Sequence, residues 1–168
     1  MRVLWYSALA IFLLDQVSKY IVVHWMRLSS VGQIEVWPPY LTFAMAWNRG
    51  INFGLFAGDT DLTRWILIAI ALVISGWVVW WMRREKPGVM ARISAGFLVG
   101  GALGNVIDRL FYGAVADFLN MSCCGIDNPY AFNVADIAIF AGAIGLLLFT
   151  GSDSAGARKS GRRGAKRP

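Results

Sequence analysis

Charge is scarce in this chain. Asp, Glu, Lys and Arg make up 15% of its 168 residues, against 57% hydrophobic residues. That balance excludes an ordinary water-soluble domain and points to a membrane protein, because the apolar content lies in long runs. Histidine is nearly absent: the single His24 ends the first apolar run, where it reads as an interfacial residue. No serine sits in a nucleophile elbow. The two cysteines, Cys123 and Cys124, are adjacent; neighbouring cysteines rarely bridge each other and lack metal-site spacing, so they have no assigned role. A metal cluster made of carboxylates alone would lack His and Cys support. The amino terminus has no small-x-small cleavage site, and its apolar run is too long for a signal peptide, so it is expected to be a retained span.

Positive charge is missing where it would matter for topology. The 113–131 connection holds no Lys or Arg and the 26–64 connection only three, whereas 83–92 and the tail together hold ten of the sixteen. By the positive-inside rule both termini and the 83–92 loop are cytoplasmic. The basic tail is expected to be a disordered, solvated end near anionic lipid headgroups, with no nucleic acid as partner.

Four apolar runs are present: 3–24, 65–82, 93–112 and 132–150. About 20 helical residues at ~1.5 Å each cross the hydrocarbon. Asp15 and Lys19 lie four apart on one face of the first and are expected to pair. Gly96, Gly100 and Gly104 recur every four residues in the third, a row that lets a neighbouring helix approach closely, and Asp108 is next in that row. In the fourth, Ala138 with Gly142, and Ala141 with Gly145, offer similar faces. The 26–64 connection alternates with strand period at Gln33–Trp37, breaks at Pro38-Pro39 and resumes at Tyr40–Phe43. A small sheet on the membrane surface is expected there, followed by a turn-rich loop from Trp47 and a mobile, glycine-bearing segment over the site. The fold class is therefore an α-helical membrane protein with four transmembrane helices and a small extracytoplasmic β-sheet. Residues 1–150 form the membrane domain and 151–168 the tail.

In that orientation the polar residues converge. Asp15, Ser18 and Lys19, then Asn105, Asp108 and Arg109, then Asn133 and Asp136 all lie in the outer turns of their spans, with Asn48 and Asp117 supplied by outer loops. Ionisable residues inside a membrane are expensive and mark function by default. Two close carboxylates share one proton more easily than they both ionise. The unprotonated member takes a proton from attacking water; the other polarises a carbonyl and later protonates the leaving amine. That chemistry needs no metal or cofactor. From the residues alone, a proton-coupled transporter using the carboxylates as a relay stands beside a membrane enzyme, and a structural adaptor with glycine-rich docking faces is a third class. A relay should be spread across the membrane, whereas here the inner half of each span is apolar.

The blocks Asp15-Gln16-Val17-Ser18-Lys19, Asn48-Arg49-Gly50, Gly100 to Arg109, Val115-Ala116-Asp117-Phe118 and Phe132-Asn133-Val134-Ala135-Asp136 occur in this order. Together they closely resemble the bacterial lipoprotein signal peptidases, or signal peptidase II family, over about residues 10–150. The resemblance implies an inner-membrane aspartic endopeptidase that removes the signal peptide from prolipoproteins just before a diacylglyceryl-modified cysteine. It implies Asp117 and Asp136 as the catalytic dyad. Asp15, Asn48, Asn105, Arg109 and Asn133 would orient the dyad and substrate, and Asp108 would be structural, paired with Arg109 or Lys19. Neither metal nor cofactor is implied. Partners would be lipidated prolipoproteins, membrane lipids and cyclic peptide-type inhibitors, with the protein a monomer and its site near the periplasmic face. Two departures stand out: Ile137 where many relatives have Ser, and Gly50-Ile51-Asn52-Phe53-Gly54 where relatives often have Gly-Ala-Ala-Phe-Ser.

Overall fold

The computed structural model describes residues 1–50, 60–123 and 128–164. Helix α1 spans Arg2–Lys19 and continues as a π-helical stretch over Tyr20–Trp25, so the first span widens its turns where it meets the surface. A short helix α2, Leu28–Val31, leads into strands β1, Gln33–Trp37, and β2, Leu41–Asn48. Helices α3, Thr60–Glu85, and α4, Val89–Tyr112, follow. Strand β3, Val115–Met121, then precedes α5, Val134–Gly164.

Helices α1, α3 and α4 are each long and apolar enough to cross a membrane, and the apolar part of α5, Val134–Thr150, is the shortest of the four. Its 17 residues at ~1.5 Å each reach about 26 Å, close to the lower limit for a span. The backbone stays helical to Gly164, beyond the end of the apolar run and through most of the segment expected to be a disordered tail. Leu9, Leu13 and Val17 on α1, Val73 and Trp77 on α3, and Phe140 and Leu147 on α5 are exposed. Rows of large apolar side chains facing outward are what lipid, not water, accommodates.

Helix α4 is the hub, and glycine makes it so. A Cβ on Gly96 would strike the Leu4 carbonyl oxygen of α1 at 2.6 Å, one on Gly100 would meet Ala8, and one on Gly104 would sit 2.5 Å from Asp15 Oδ2. The opposite side meets α5 in the same way: a Cβ on Gly101 would fall 2.5 Å from the Ala135 carbonyl oxygen, and one on Gly142 would be 2.6 Å from backbone atoms of Ser94 and Leu98. The expected glycine row thus packs α4 on α1. On α5 the packing face is Ala138, Gly142 and Gly145; Ala141 turns outward, since residues 138, 142 and 145 complete one helical stripe and 141 falls beside it.

At one end of the bundle Leu4, Ala8, Val78, Met82, Ala95, Val99 and Leu146 form an apolar core contributed by all four spans. At the other end Val22, Leu28 and Phe118 form a second core beneath the sheet. The sheet is antiparallel in the order β1-β2-β3. Strand β3 corrects an expectation: the 113–131 connection is not simply a loop, because Val115 to Met121 pairs with β2, with Asn48 opposite Val115 and Ala46 opposite Asp117. Asn48 likewise belongs to a strand end and not to a loop. The mobile segment expected over the site falls mainly on residues 51–59, outside the described residues.

Candidate active site

The chain enters α5 through Asn133, whose side chain is fully buried. Its Oδ1 accepts the Asp136 N–H at 2.9 Å, and Asp136 Oδ2 accepts the Asn133 N–H at 3.3 Å. This is a reciprocal capping box built from Asn and Asp at a spacing of three, which satisfies two of the amide donors a helix start leaves open. It also fixes the Asp136 carboxylate over the first turn of α5. Asp136 Oδ1 accepts from Asn105 Nδ2 of α4 at 2.9 Å, so the carboxylate is held from two helices.

Asp117 approaches from the sheet. The edge position and alternation of β3 point it at the same amide: Asn133 Nδ2 donates to Asp117 Oδ1 at 2.6 Å. The diagonal neighbour across the strand pair, Asn48, donates its Nδ2 to Asp117 Oδ2 at 3.1 Å. Asn133 therefore touches both aspartates, one through its amide nitrogen and one through its amide oxygen. Asn105 Oδ1 lies 3.3 Å from Asn133 Nδ2. Asp117 is 2% exposed, and its carboxyl is pushed from an ordinary 3.8 up to about 6. Burial is the largest cause and the negative charge of Asp136 the next; the Asn48 and Asn133 hydrogen bonds and the Lys19 charge act in the opposite direction.

Arg109 lies one helical turn on from Asn105 and donates from Nη1 to the Asn105 carbonyl at 3.3 Å. Its guanidinium stands in the field of Asp136, Asp117 and Asp108, and its buried Nε has no hydrogen-bond partner among the described residues.

Beneath this layer lies a buried ionic one. Lys19 Nζ sits 2.7 Å from Asp15 Oδ2, as their spacing predicts, and 2.8 Å from Asp108 Oδ2. Asp108 thus pairs with Lys19 and not with Arg109. Gln16, which sequence reasoning passed over as part of a block, donates to both carboxylates, at 3.2 Å to Asp15 and 3.1 Å to Asp108. Removing one member of a buried ion pair typically costs ~3–5 kcal/mol, since the remaining charge is left uncompensated.

All seven residues singled out in the sequence are thus found at one end of the bundle. Asp117, Asp136, Asn133, Asn105 and Asn48 are in direct contact, Arg109 joins through the Asn105 backbone, and Asp15 supports them from below through the Ala135 N–H at 2.9 Å. Ile137, where many relatives have Ser, is 48% exposed in the first turn of α5, and the hydrogen bonds described here do not involve its side chain. His24 makes no contact with the dyad: its Nε2 is 3.2 Å from Tyr112 Oη, at a cavity of about 180 Å³ that Gln16, Lys19, Asp108 and Ala116 also line. The opposite end of the bundle is an apolar core.

The chain is similar to known proteins over most of its length. The family model described as signal peptidase (SPase) II matches residues 7–151. A lipoprotein signal peptidase of Methylorubrum extorquens (strain PA1) is 42% identical over 145 residues, which is 84% of this chain and 81% of that one. One from Alteromonas mediterranea is 40% identical over 167 residues, covering 99% of this chain and 88% of the relative. A solved structure described as a bacterial membrane enzyme, obtained by the in meso method at 1.9 Å resolution, superposes with a TM-score of 0.72 at 28% identity, covering 85% of this chain and 88% of that one.

Proposed function

The chain belongs to the signal peptidase II family, and from that premise we propose that Asp117 and Asp136 are its catalytic dyad. The protein is a multi-pass membrane aspartic peptidase of the bacterial inner membrane that processes prolipoproteins. The observation that carries the dyad is Asn133, whose side-chain Nδ2 donates to the Asp117 carboxylate of the strand while its backbone N–H donates to the Asp136 carboxylate at the start of the helix.

The chemistry follows from the pair. Burial and the neighbouring charge raise the proton affinity of Asp117 towards neutrality, which suits a pair in which one carboxyl works protonated and the other ionised. Water between them gives a proton to the ionised carboxylate as its oxygen attacks the scissile carbonyl carbon. The protonated carboxyl hydrogen-bonds the carbonyl oxygen, and the tetrahedral intermediate collapses when the leaving amine takes a proton. In this reading Arg109, whose guanidinium stands in the field of both aspartates, and Asn48, which donates to Asp117, orient the dyad and substrate. No covalent intermediate forms.

Cleavage just before a diacylglyceryl-modified cysteine suits a site at the end of a helical bundle, because the acyl chains stay in lipid while the scissile bond meets the dyad. The charge asymmetry supports cytoplasmic termini, a basic 151–168 tail on the same side and a dyad near the periplasmic face. A monomer contains the whole constellation, and a cyclic peptide occupying the substrate's place is the expected inhibitor. The direct experiment is a gel-shift cleavage assay of the purified protein on a diacylglyceryl prolipoprotein, with unlipidated precursor as control. Equal cleavage of both would refute the lipid requirement, and cleavage of neither would refute the function.

A further inference from the structure

Asp117 and Asp136 come from different elements, yet each is preceded by an alanine whose backbone is held in the same way. The Ala116 N–H donates to Asp108 Oδ2 at 3.2 Å. The Ala135 N–H donates to Asp15 Oδ1 at 2.9 Å. The two accepting carboxylates belong to α4 and α1, and they share a single ammonium, with Lys19 Nζ 2.7 Å from one and 2.8 Å from the other. The third contact of Nζ is Asn105 Oδ1 at 3.4 Å, and Asn105 itself donates to Asp136. Asp15, Asp108 and Lys19 are 0%, 1% and 6% exposed, so protein atoms enclose the triad almost entirely, with Lys19 and Asp108 bordering the cavity beside His24.

We propose that Lys19 is a positioning residue that sets the separation of the two catalytic aspartates, by clamping together the carboxylates that hold the backbone one residue ahead of each. The proposal rests on the dyad reading above. Without the ammonium, Asp15 and Asp108 would face one another as like charges in a buried site and move apart or take up a proton. Either response shifts the acceptors of Ala116 and Ala135, and with them the carboxylates of Asp117 and Asp136. A displacement of about 1 Å in a reacting group costs on the order of 10²-fold in rate. Lysine suits the role because its ammonium is a compact point donor that three acceptors can surround, whereas the planar arginine fork imposes its own geometry.

A lysine that only stabilised the fold would lower the melting temperature and leave the surviving molecules with normal chemistry. Electrostatics separates the two cases. The charged groups acting on Asp117 are Asp136 from α5, Arg109 from α4 and Lys19 from α1, while β2 presents the neutral Asn48. Of these, the Lys19 charge lowers the proton affinity of Asp117. Lys19→Met should therefore move the limb of the pH–rate profile that belongs to Asp117 to higher pH, and Lys19→Arg should leave it in place.

The test uses the full-length protein in detergent, with gel-shift kinetics on a diacylglyceryl prolipoprotein and a melting curve for each variant. Lys19→Met and Lys19→Arg should each lower kcat by on the order of 10²-fold with KM close to the parent value, and only Lys19→Met should shift the pH limb. In the triple variant Lys19→Met, Asp15→Asn, Asp108→Asn the amide oxygens still accept from Ala116 and Ala135 without mutual repulsion, so kcat should recover part of the loss. Folded Lys19→Arg or Lys19→Met with parental kcat would overturn the proposal, as would a lowered melting temperature with an unmoved pH profile for Lys19→Met. If Lys19→Met does not fold, Lys19→Arg alone decides by its kcat. Asp117→Asn and Asp136→Asn run alongside: activity in those variants would defeat the dyad reading itself, while their inactivity with a fully active Lys19 variant defeats only the clamp.

Discussion

Asn133 and Asp136 cap each other: the Asn133 amide oxygen accepts the Asp136 N–H at 2.9 Å and the Asp136 carboxylate accepts the Asn133 N–H at 3.3 Å. One local motif therefore starts a helix and aims the carboxylate proposed as one half of the dyad. The cost of mutating it divides along the same line. Asn133→Ala removes the cap, worth ~1 kcal/mol, together with the donor to Asp117, so both melting temperature and turnover should fall. Asn133→Asp keeps an acceptor for the Asp136 N–H but loses the Nδ2 donor and puts a third carboxylate beside the dyad. Its turnover should fall much further than its stability. Parallel melting and cleavage measurements on the two variants check this, and equal turnover in both would contradict it.

The raised proton affinity of Asp117 has a thermodynamic consequence. In the folded protein its carboxyl titrates at about 6, against an ordinary 3.8, chiefly through burial. The native state then binds more protons than the unfolded state between those values, so stability falls as pH rises through that window and levels off above it. Asp117→Asn should flatten the dependence. Denaturation of the parent and variant in detergent at several pH values between 4 and 7 measures it; identical slopes would mean that Asp117 titrates normally.

Glycine substitutions on α3 and α4 should separate packing from propensity. Nothing lies within 4 Å of a Cβ built on Gly76, whereas one on Gly104 would be 2.5 Å from Asp15 Oδ2. Gly76→Ala should be neutral or slightly stabilising, in line with the ~1 kcal/mol that alanine gains over glycine in helices. Gly104→Ala must push Asp15 off Lys19 or separate α1 from α4, and should lower both stability and cleavage rate. Melting curves for the two single variants suffice, and comparable stability in both would show that α1 tolerates the extra methyl.

Much of this arrangement was legible in the residues. The four spans follow from apolar length, and the Asp15–Lys19 pair follows from a spacing of four. The α1–α4 contact follows from the glycine row that ends in Asp108. What escaped has physical reasons. Strand β3 gave no alternating signal because Val115, Ala116, Asp117 and Phe118 are all buried, and a strand covered on both faces reads as a short apolar run. Its partner β2 lies some 70 residues away in sequence, with Asn48 opposite Val115. The supports of Ala116 and Ala135 act through backbone N–H groups, which every residue but proline carries, so no side-chain pattern announces them. Gln16 was hidden for the opposite reason: it sat inside a quoted block, and only the fold shows it reaching Asp108 on another helix.

The dyad itself makes the sharpest prediction. Asp117→Asn and Asp136→Asn each keep the shape of the side chain but lose the capacity to take or give a carboxylic proton. Each should abolish measurable turnover while the protein stays folded and binds lipidated precursor. General acid–base groups contribute ~10²–10⁴-fold each when they act separately. Here both carboxylates accept from Asn133, Asp117 from its side-chain Nδ2 and Asp136 from its backbone N–H, and in the proposed mechanism they act as a unit, so their losses should not multiply. The double variant should therefore be little worse than either single one. Asp136→Asn should also melt slightly lower than Asp117→Asn, because only Asp136 belongs to the capping box of α5. Cleavage rates and melting temperatures of the three variants, measured in the same detergent, test every part of this. Near-parental cleavage by either single variant would remove the aspartic mechanism, and a double variant slower by the product of the two single losses would show two independent carboxylates in place of a pair.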